Sequence, residues 1–319
     1  LSPGGPAADA RWNLLLAEAA LNDNSAAISH SMAKATRLSA ARDGELARLL
    51  AGAVCLALCA IMLAPLALSV SASLKTTQEA SAIPPTYFTH YLSLDSYHRL
   101  WSYQAGLPTY LFNSGGTAVL AILFCLVLTV PAGYALARFP TPGKEAIFVF
   151  LLLALIVPYQ ALLTPIFFMF ASLHLTNTLF GLAILHTTIQ LPFSVYVMRN
   201  SFEAVPSEIE EAAIIDGATS WQVLAFVYLP AIVPAIVTVA LFAFITSWNE
   251  FLGALVMMNR GATFTVPLIL ANARQETSIG GTDWGLLQAG ITISIIPCVL
   301  FYLMLQRYYV SGFTAGAVK

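Results

Sequence analysis

Charge is scarce in this sequence. Of 319 residues only 9% are Asp, Glu, Lys or Arg, while 58% are hydrophobic and the mean hydropathy is +0.78. Water-soluble domains carry about 25% charged residues. A chain this poor in charge cannot cover a water-facing surface of its size, and lipid is the natural solvent for most of it. A basic excess is also missing. The formal net charge is −2, so the electrostatic footprint of a nucleic-acid binder is absent. Cysteine is sparse: Cys55, Cys59, Cys125 and Cys298 all fall in apolar runs, where thiols act as small hydrophobes. No CxxC pair or Cys/His cluster has metal-ligand spacing, so no metal site is expected. No Ser/His/Asp set and no paired carboxylates speak for catalysis. A phosphate-cradling loop, G-x-x-x-x-G-K-[ST], is missing too. Gly143-Lys144 is followed by Glu145 and lacks the earlier glycine. No polar segment between the apolar runs has room for a nucleotide domain. The chain is therefore expected to be no enzyme and to hold no cofactor, and any ATP chemistry must belong to another polypeptide.

Long apolar runs are abundant. A spanning helix needs roughly 20 mostly apolar residues. Six stretches qualify: about Leu49–Val70, Thr117–Ala137, Ala146–Phe170, Leu179–Met198, Leu229–Met257 and Leu286–Leu305. The expected fold is an all-α polytopic membrane protein with six transmembrane helices over residues 49–319. Pro131, Pro158, Pro165, Pro192, Pro234 and Pro297 lie in or beside these runs, which membranes tolerate because neighbouring helices re-satisfy freed carbonyls. Val70-Ser71-Ala72 has the look of a signal cleavage site, but the preceding run is longer than a signal core and follows a long polar segment. The first span is expected to stay. With both ends in the cytosol, ten basic residues lie inside (Arg11, Lys34, Arg37, Arg42, Arg48, Arg138, Lys144, Arg199, Arg307 and Lys319) and four outside (Lys75, Arg99, Arg260 and Arg274). That asymmetry follows the positive-inside rule. Residues 1–48 are expected to form a cytosolic tail. Met32 opens MAKATRLSAARDGELARLL, which reads as a natural start, so residues 1–31 are read as non-native or disordered. The segments 71–113 and 259–285 would face outside. Their aromatic residues suit interfacial anchoring or a docking surface for an external protein.

One polar interruption stands out. Between the fourth and fifth runs, residues 199–228 carry five acids (Glu203, Glu208, Glu210, Glu211 and Asp216) against one base, Arg199. Ser207 followed by Glu210 reads as a capping box starting a short helix, and its early carboxylates suit the positive end of the helix dipole. Glu208, Glu211 and Ile215 share a face at 3.6 periodicity. Gly217 supplies the stop. Thr219 and Gln222 repeat the capping pattern for a second helix running toward Pro230. Ala212 and Ala213 keep the first helix slim enough for another surface to approach. A lipid-binding surface helix would be basic. This acidic hairpin is either a plug for a partner's basic or polar groove, or a merely solvated turn.

The spacing Glu211-Ala212-Ala213, three residues, Gly217, nine residues, Val227-Tyr228-Leu229-Pro230 resembles the EAA signature of ABC importer permeases of the binding-protein-dependent (type I) family. Only Val227 departs, standing where the signature has Ile. The resemblance runs from about Leu50 to Lys319. AGYALARFPTPGK (132–144), SWNEFLGALV (247–256) and QRYYVSGFTAGAVK (306–319) are similar to the carbohydrate branch, in particular the shorter of its two paired permeases. The resemblance implies that residues 207–228 form the coupling helices. Glu208, Glu211, Ala212, Ala213, Asp216, Gly217 and Pro230 would serve ATPase coupling. It also implies alternating access in a bacterial cytoplasmic (inner) membrane. The implied partners are two ATPase subunits carrying ATP and Mg, a second homologous permease, an extracytoplasmic substrate-binding protein and membrane lipid. The solute would be a sugar or sugar derivative.

Polar residues at membrane depth are costly and mark function by default. Glu250 in TSWNEFL, with Thr246 and Asn249, either contributes to the substrate path or its outer gate, or makes a structural hydrogen bond near the interface. His186, Thr187, Thr188 and Gln190 form a polar band in the fourth run. His186 either offers a hydrogen bond to a substrate hydroxyl or is a satisfied structural histidine. Trp248 and Phe251 could present aromatic faces to a sugar. Asn113 and Ser114 read as caps of the second span. The competing function is a secondary transporter driven by an ion gradient, for which Glu250 is the one candidate carboxylate; an intramembrane enzyme would need a nucleophile or metal set that is not found.

Overall fold

The computed structural model describes residues 48–82, 84, 86, 87, 89, 91–273 and 282–316. The tail with its expected start at Met32, and Arg274, lie outside the described residues. Among the described residues every regular element is helical. The first, α1 (Arg48–Ser73), runs from one compact unit ending at Pro65 into a second that begins at Leu66. Within the first unit Leu49, Leu56, Ile61 and Met62 are all exposed, as suits a helix apolar on every face.

The second unit continues with α2 (Thr77–Ala80), α3 (Asp95–Trp101), α4 (Leu107–Arg138), α5 (Lys144–Leu153), α6 (Tyr159–Ser172), α7 (Leu179–Glu203) and α8 (Ser207–Ile215). It then runs through α9 (Ser220–Gln222), a π-helical segment (Val223–Tyr228), α10 (Leu229–Ala231), α11 (Val233–Asn249), α12 (Leu252–Met257), α13 (Val266–Ala273) and α14 (Trp284–Gly316). Among the described residues four helices, α1, α4, α7 and α14, are continuous and long and apolar enough to cross a membrane. Pro131, Pro192 and Pro297 sit inside them without breaking them. A further apolar pair, Ser220–Ala231 and Val233–Asn249, is bent by 76° at Ile232, where Pro230 and Pro234 each remove a backbone donor.

The expected span Ala146–Phe170 is not one helix. It divides into α5 and α6, because Pro158 forces Val157 away from helical geometry and serves as the N-cap of α6. The chain closes the break with tight bonds, Ala154 to Leu151, Leu155 to Leu152 and Ile156 to Leu153. Six continuous spans are therefore not reached: two expected crossings are built from shorter helices. A second difference concerns α4, which begins at Leu107 rather than near Thr117. Asn113 and Ser114 thus lie inside it and are not caps. Asn113 Nδ2 donates to the Ala262 and Phe264 carbonyls at 2.8 and 2.9 Å. Ser114 Oγ accepts from the Val266 amide at 2.8 Å. These bonds fasten the connection between α12 and α13 to the start of α4.

The centre of the second unit is the pairing of α4 with α7, flanked by α11. Gly133 permits it: a Cβ there would stand 2.5 Å from Met198 Cβ. Cys125, Met198, Phe202, Tyr228 and Val239 are buried together at this seam. A second cluster, including Leu163, Leu182, Leu185, Ala254 and Met257, joins α6, α7 and α12.

Candidate functional site

The acidic interruption forms a helix–turn–helix hairpin. Its turn is set by Gly217, whose φ of +86° lies in the region glycine enters cheaply. The amide of Gly217 bonds the Ile214 carbonyl at 2.9 Å and that of Ala218 bonds Ala213 at 3.0 Å. These two bonds are the C-terminal stop of a Schellman motif. On the far side of the turn the expected second capping box is present: Thr219 Oγ1 accepts from the Gln222 amide, and Gln222 Oε1 accepts from the Thr219 amide at 2.8 Å.

The first expected capping box does not form. Pro206 stands at the N-cap and offers no side-chain acceptor, and Ser207 is already helical. The Glu210 carboxylate turns back toward the membrane helices instead, its Oε2 accepting from the Tyr228 hydroxyl at 2.6 Å. The competing demand is clear. Tyr228 is fully buried, and a buried phenol requires a partner. Glu208, Glu211 and Asp216, by contrast, are exposed, together with Ala212, Ile214, Ile215 and Pro230, while Ala213 is half-buried. The exposed surface of α8 therefore combines carboxylates, a small residue and three unburied isoleucines, Ile209, Ile214 and Ile215.

Around Glu210 lies a group of residues that sequence reasoning missed. Tyr134, Phe202 and Tyr228 form an aromatic cluster, with Tyr134 and Tyr228 5.3 Å apart and Phe202 and Tyr228 5.6 Å apart. The Arg138 guanidinium stacks 4.9 Å from the Tyr228 ring centre. It also donates to the carbonyl of Phe202 at 2.5 Å and to that of Val205, so the last residue of α4 caps the end of α7. Nothing in the spacing of these residues brings them together; only Tyr228, inside the Val227–Pro230 tail of the signature, lay near a signal. Beside the cluster a cavity of about 290 Å³ is lined by Pro131, Tyr134, Phe139, Ser220, Trp221 and Leu224. On the same side of the fold Arg199 donates to Glu145 at 2.7 Å and to Glu203 at 2.8 Å. The bond from Arg199 holds the Glu145 carboxyl below its usual range.

The intramembrane residues separate into groups. Glu250 is buried at the break between α11 and α12. Its Oε1 accepts from the Tyr159 hydroxyl and the Gly253 amide, both at 2.7 Å. Its Oε2 lies 3.2 Å from His186 Nε2 and accepts from the Ala254 amide at 3.1 Å. His186 Nδ1 in turn lies 2.8 Å from Ser247 Oγ. This cluster ties the starts of α6 and α12 to the middle of α7. Tyr159 and Ser247 belong to it and were not singled out by the sequence. Thr246 donates to Gln190 Oε1 at 3.0 Å, while Gln190 Nε2 is a buried donor with no partner. Trp248 faces away, donating to the Ser294 carbonyl of α14 at 3.1 Å and stacking on Phe244. Asn249 is exposed and bonds its own helix at Ile245. The structure thus brings Glu250 to His186 and Thr246 to Gln190, and leaves Trp248 and Asn249 apart from both. Among the described residues no group of three His, Cys, Asp or Glu could hold a metal ion.

Residues 129–314 match the family model described as "Binding-protein-dependent transport system inner membrane component". The chain is 32% identical to the diacetylchitobiose uptake system permease protein DasC of Streptomyces coelicolor, over 73% of this chain and 80% of that protein. It is 33% identical to the trehalose transport system permease protein SugB of Mycobacterium tuberculosis, over 76% and 86%. Among solved structures, a bacterial ABC transporter involved in import of the acidic polysaccharide alginate superposes with a TM-score of 0.71 at 23% identity, covering 82% of this chain and 95% of that one.

Proposed function

Because the chain belongs to the family of binding-protein-dependent transport system inner membrane components, we propose that it is the membrane permease subunit of an ATP-driven importer for a sugar or sugar derivative. The observation that carries this reading is the exposed face of α8, with Glu208, Glu211, Ala212, Ile214 and Ile215 all unburied on a hairpin stopped by Gly217. Unburied isoleucines among carboxylates suit a protein partner better than water. The coupling set is Glu208, Glu211, Ala212, Ala213, Asp216 and Gly217, with Pro230 ending the second arm. The sugar class follows from the relatives DasC, of a diacetylchitobiose uptake system, and SugB, of a trehalose transport system.

In this reading two ATPase chains, carrying ATP and Mg, close beneath α8 in the bacterial cytosol. A second, homologous permease completes the path. An extracytoplasmic binding protein delivers the solute, and both termini of this chain are cytosolic. Alternating access requires that α8 make different contacts in the two states. For the solute path we propose Gln190 and Thr246, where a buried amide donor is unpaired, together with Asn249. His186, Glu250 and Trp248 line the same helices and hold the frame. The competing ion-gradient reading needs an available intramembrane carboxylate. Glu250 has both oxygens occupied by protein donors.

The test is isolation of the chain from native membranes, with identification of the bound polypeptides and of the energy source for uptake. A stoichiometric ATPase, and uptake that survives collapse of the ion gradients while ATP is maintained, is the expected result. Solute movement by the purified chain alone would overturn the proposal.

A further inference from the structure

Glu210 differs from its acidic neighbours. Glu208 and Glu211 are exposed, whereas Glu210 reaches the π-helical segment at Tyr228, 2.6 Å away. The Tyr228 ring is itself packed between the end of α4, through Tyr134 and Arg138, and the end of α7, through Phe202. Glu210 is the one side chain of α8 with a hydrogen bond to this cluster among those described. A second observation concerns Arg138. Its Nε is buried without a hydrogen-bond partner and lies 4.0 Å from Glu210 Oε2. A buried unpaired donor is costly, and a shift of α8 by about the excess over hydrogen-bond length, roughly 1 Å, would pair it. The carboxylate therefore holds the Tyr228 hydroxyl and also interacts with Tyr134 on α4, while Arg138 Nε lies within reach and unengaged. The π-helical geometry of Val223–Tyr228 places an irregular, adjustable turn on the other side of the same contact.

We propose that Glu210 is a positioning residue that transmits movement of α8 to α4, α7 and the bent pair of α10 and α11, by holding the Tyr228 hydroxyl and closing on Arg138 Nε as the hairpin moves. The inference rests on the reading of α8 as the ATPase-coupling helix. It assigns the link between docking surface and membrane helices to one carboxylate and its partners Tyr228, Tyr134 and Arg138, none of them on the exposed docking face. A lever without this link would rock on the turn at Gly217 and leave the spans behind.

The test uses the intact complex isolated from native membranes in lipid nanodiscs, with hydrogen–deuterium exchange read with and without ATP and vanadate. Tyr228→Phe keeps the buried ring and deletes the hydroxyl. Glu210→Gln keeps an acceptor for Tyr228 and deletes the charge that Arg138 would meet. In the unsubstituted complex, nucleotide is expected to change exchange both in α8 and at the far end of α4, Leu107–Phe112. In either variant the α8 response and the bound ATPase are expected to remain, while the response at Leu107–Phe112 falls about tenfold, the scale of one hydrogen bond to a charged group. The double variant is expected to lose no more than the single ones, because both act through one contact. A far-end response equal to that of the unsubstituted complex in both variants overturns the inference and leaves the coupling reading standing. Raised exchange of α8 and Val223–Tyr228 without nucleotide would also overturn it, since that marks a merely structural contact. Absence of any ATPase from the unsubstituted complex removes the coupling reading itself, and the inference with it.

Discussion

At the scale of single residues, Glu250 shows how a costly group is made tolerable. A carboxylate among apolar helices is stable only if its oxygens are satisfied, and here two backbone amides, Tyr159 and His186 surround it. Glu250→Gln replaces one acceptor with a donor, so at least one of these partners is orphaned. A loss of about 1–3 kcal/mol is expected, read as a lower unfolding temperature in detergent. Tyr159→Phe removes one bond and should cost less. An unchanged midpoint in Glu250→Gln would show that the cluster contributes nothing. Glu250 was legible in the sequence as an anomaly. Its partner Tyr159 was not, because the two lie 91 positions apart and no periodicity links them. Glu210 is the mirror case: it read as half of a capping box with Ser207, and a buried phenol from another helix outbid the local amide.

At the scale of elements, local grammar succeeded where its donors and acceptors were close in sequence and failed where a distant group competed. The stop at Gly217 and the Thr219–Gln222 box formed as read, since both are closed by neighbours within one turn. Gly217 has open space around its Cα, so a side chain there meets no clash; the penalty is backbone conformation, about 1–2 kcal/mol for an L-residue in the left-handed region. Gly217→Leu is therefore expected to leave insertion in the membrane intact while re-angling α8. ATP hydrolysis should continue with several-fold less solute moved per ATP, measured together in inverted vesicles containing the native complex. A normal ratio would contradict the role of the turn. The apolar run Ala146–Phe170 read as one span because composition does not register a single backbone clash. Pro158 divides it. The start of α4 was placed too late for the opposite reason: Tyr110, Asn113 and Ser114 look polar, yet their partners are protein groups rather than water.

At the scale of the whole molecule, the claim to test is orientation. The basic residues favour the side of Arg138, Lys144 and Arg199, which is also the side of the hairpin. Cysteines introduced at Ile215, 85% exposed, and Leu92, 78% exposed, should answer a membrane-impermeant maleimide oppositely. Compared with the unsubstituted chain, Leu92→Cys is expected to label in spheroplasts and Ile215→Cys only after the membrane is inverted. The reverse pattern would put α8 outside, out of reach of a cytosolic ATPase.

Composition and spacing alone determined that this chain lives in lipid, that it is helical, that it carries no nucleotide loop, and where its acidic hairpin turns. Each of these depends on sums over many residues or on contacts within a few positions. Tertiary structure alone decided which helices are broken, which carboxylates are exposed and which one bonds its own chain, and which intramembrane polar groups remain unpaired. Those outcomes are competitions between groups far apart in the chain, and the winner is set by burial, which the sequence does not record.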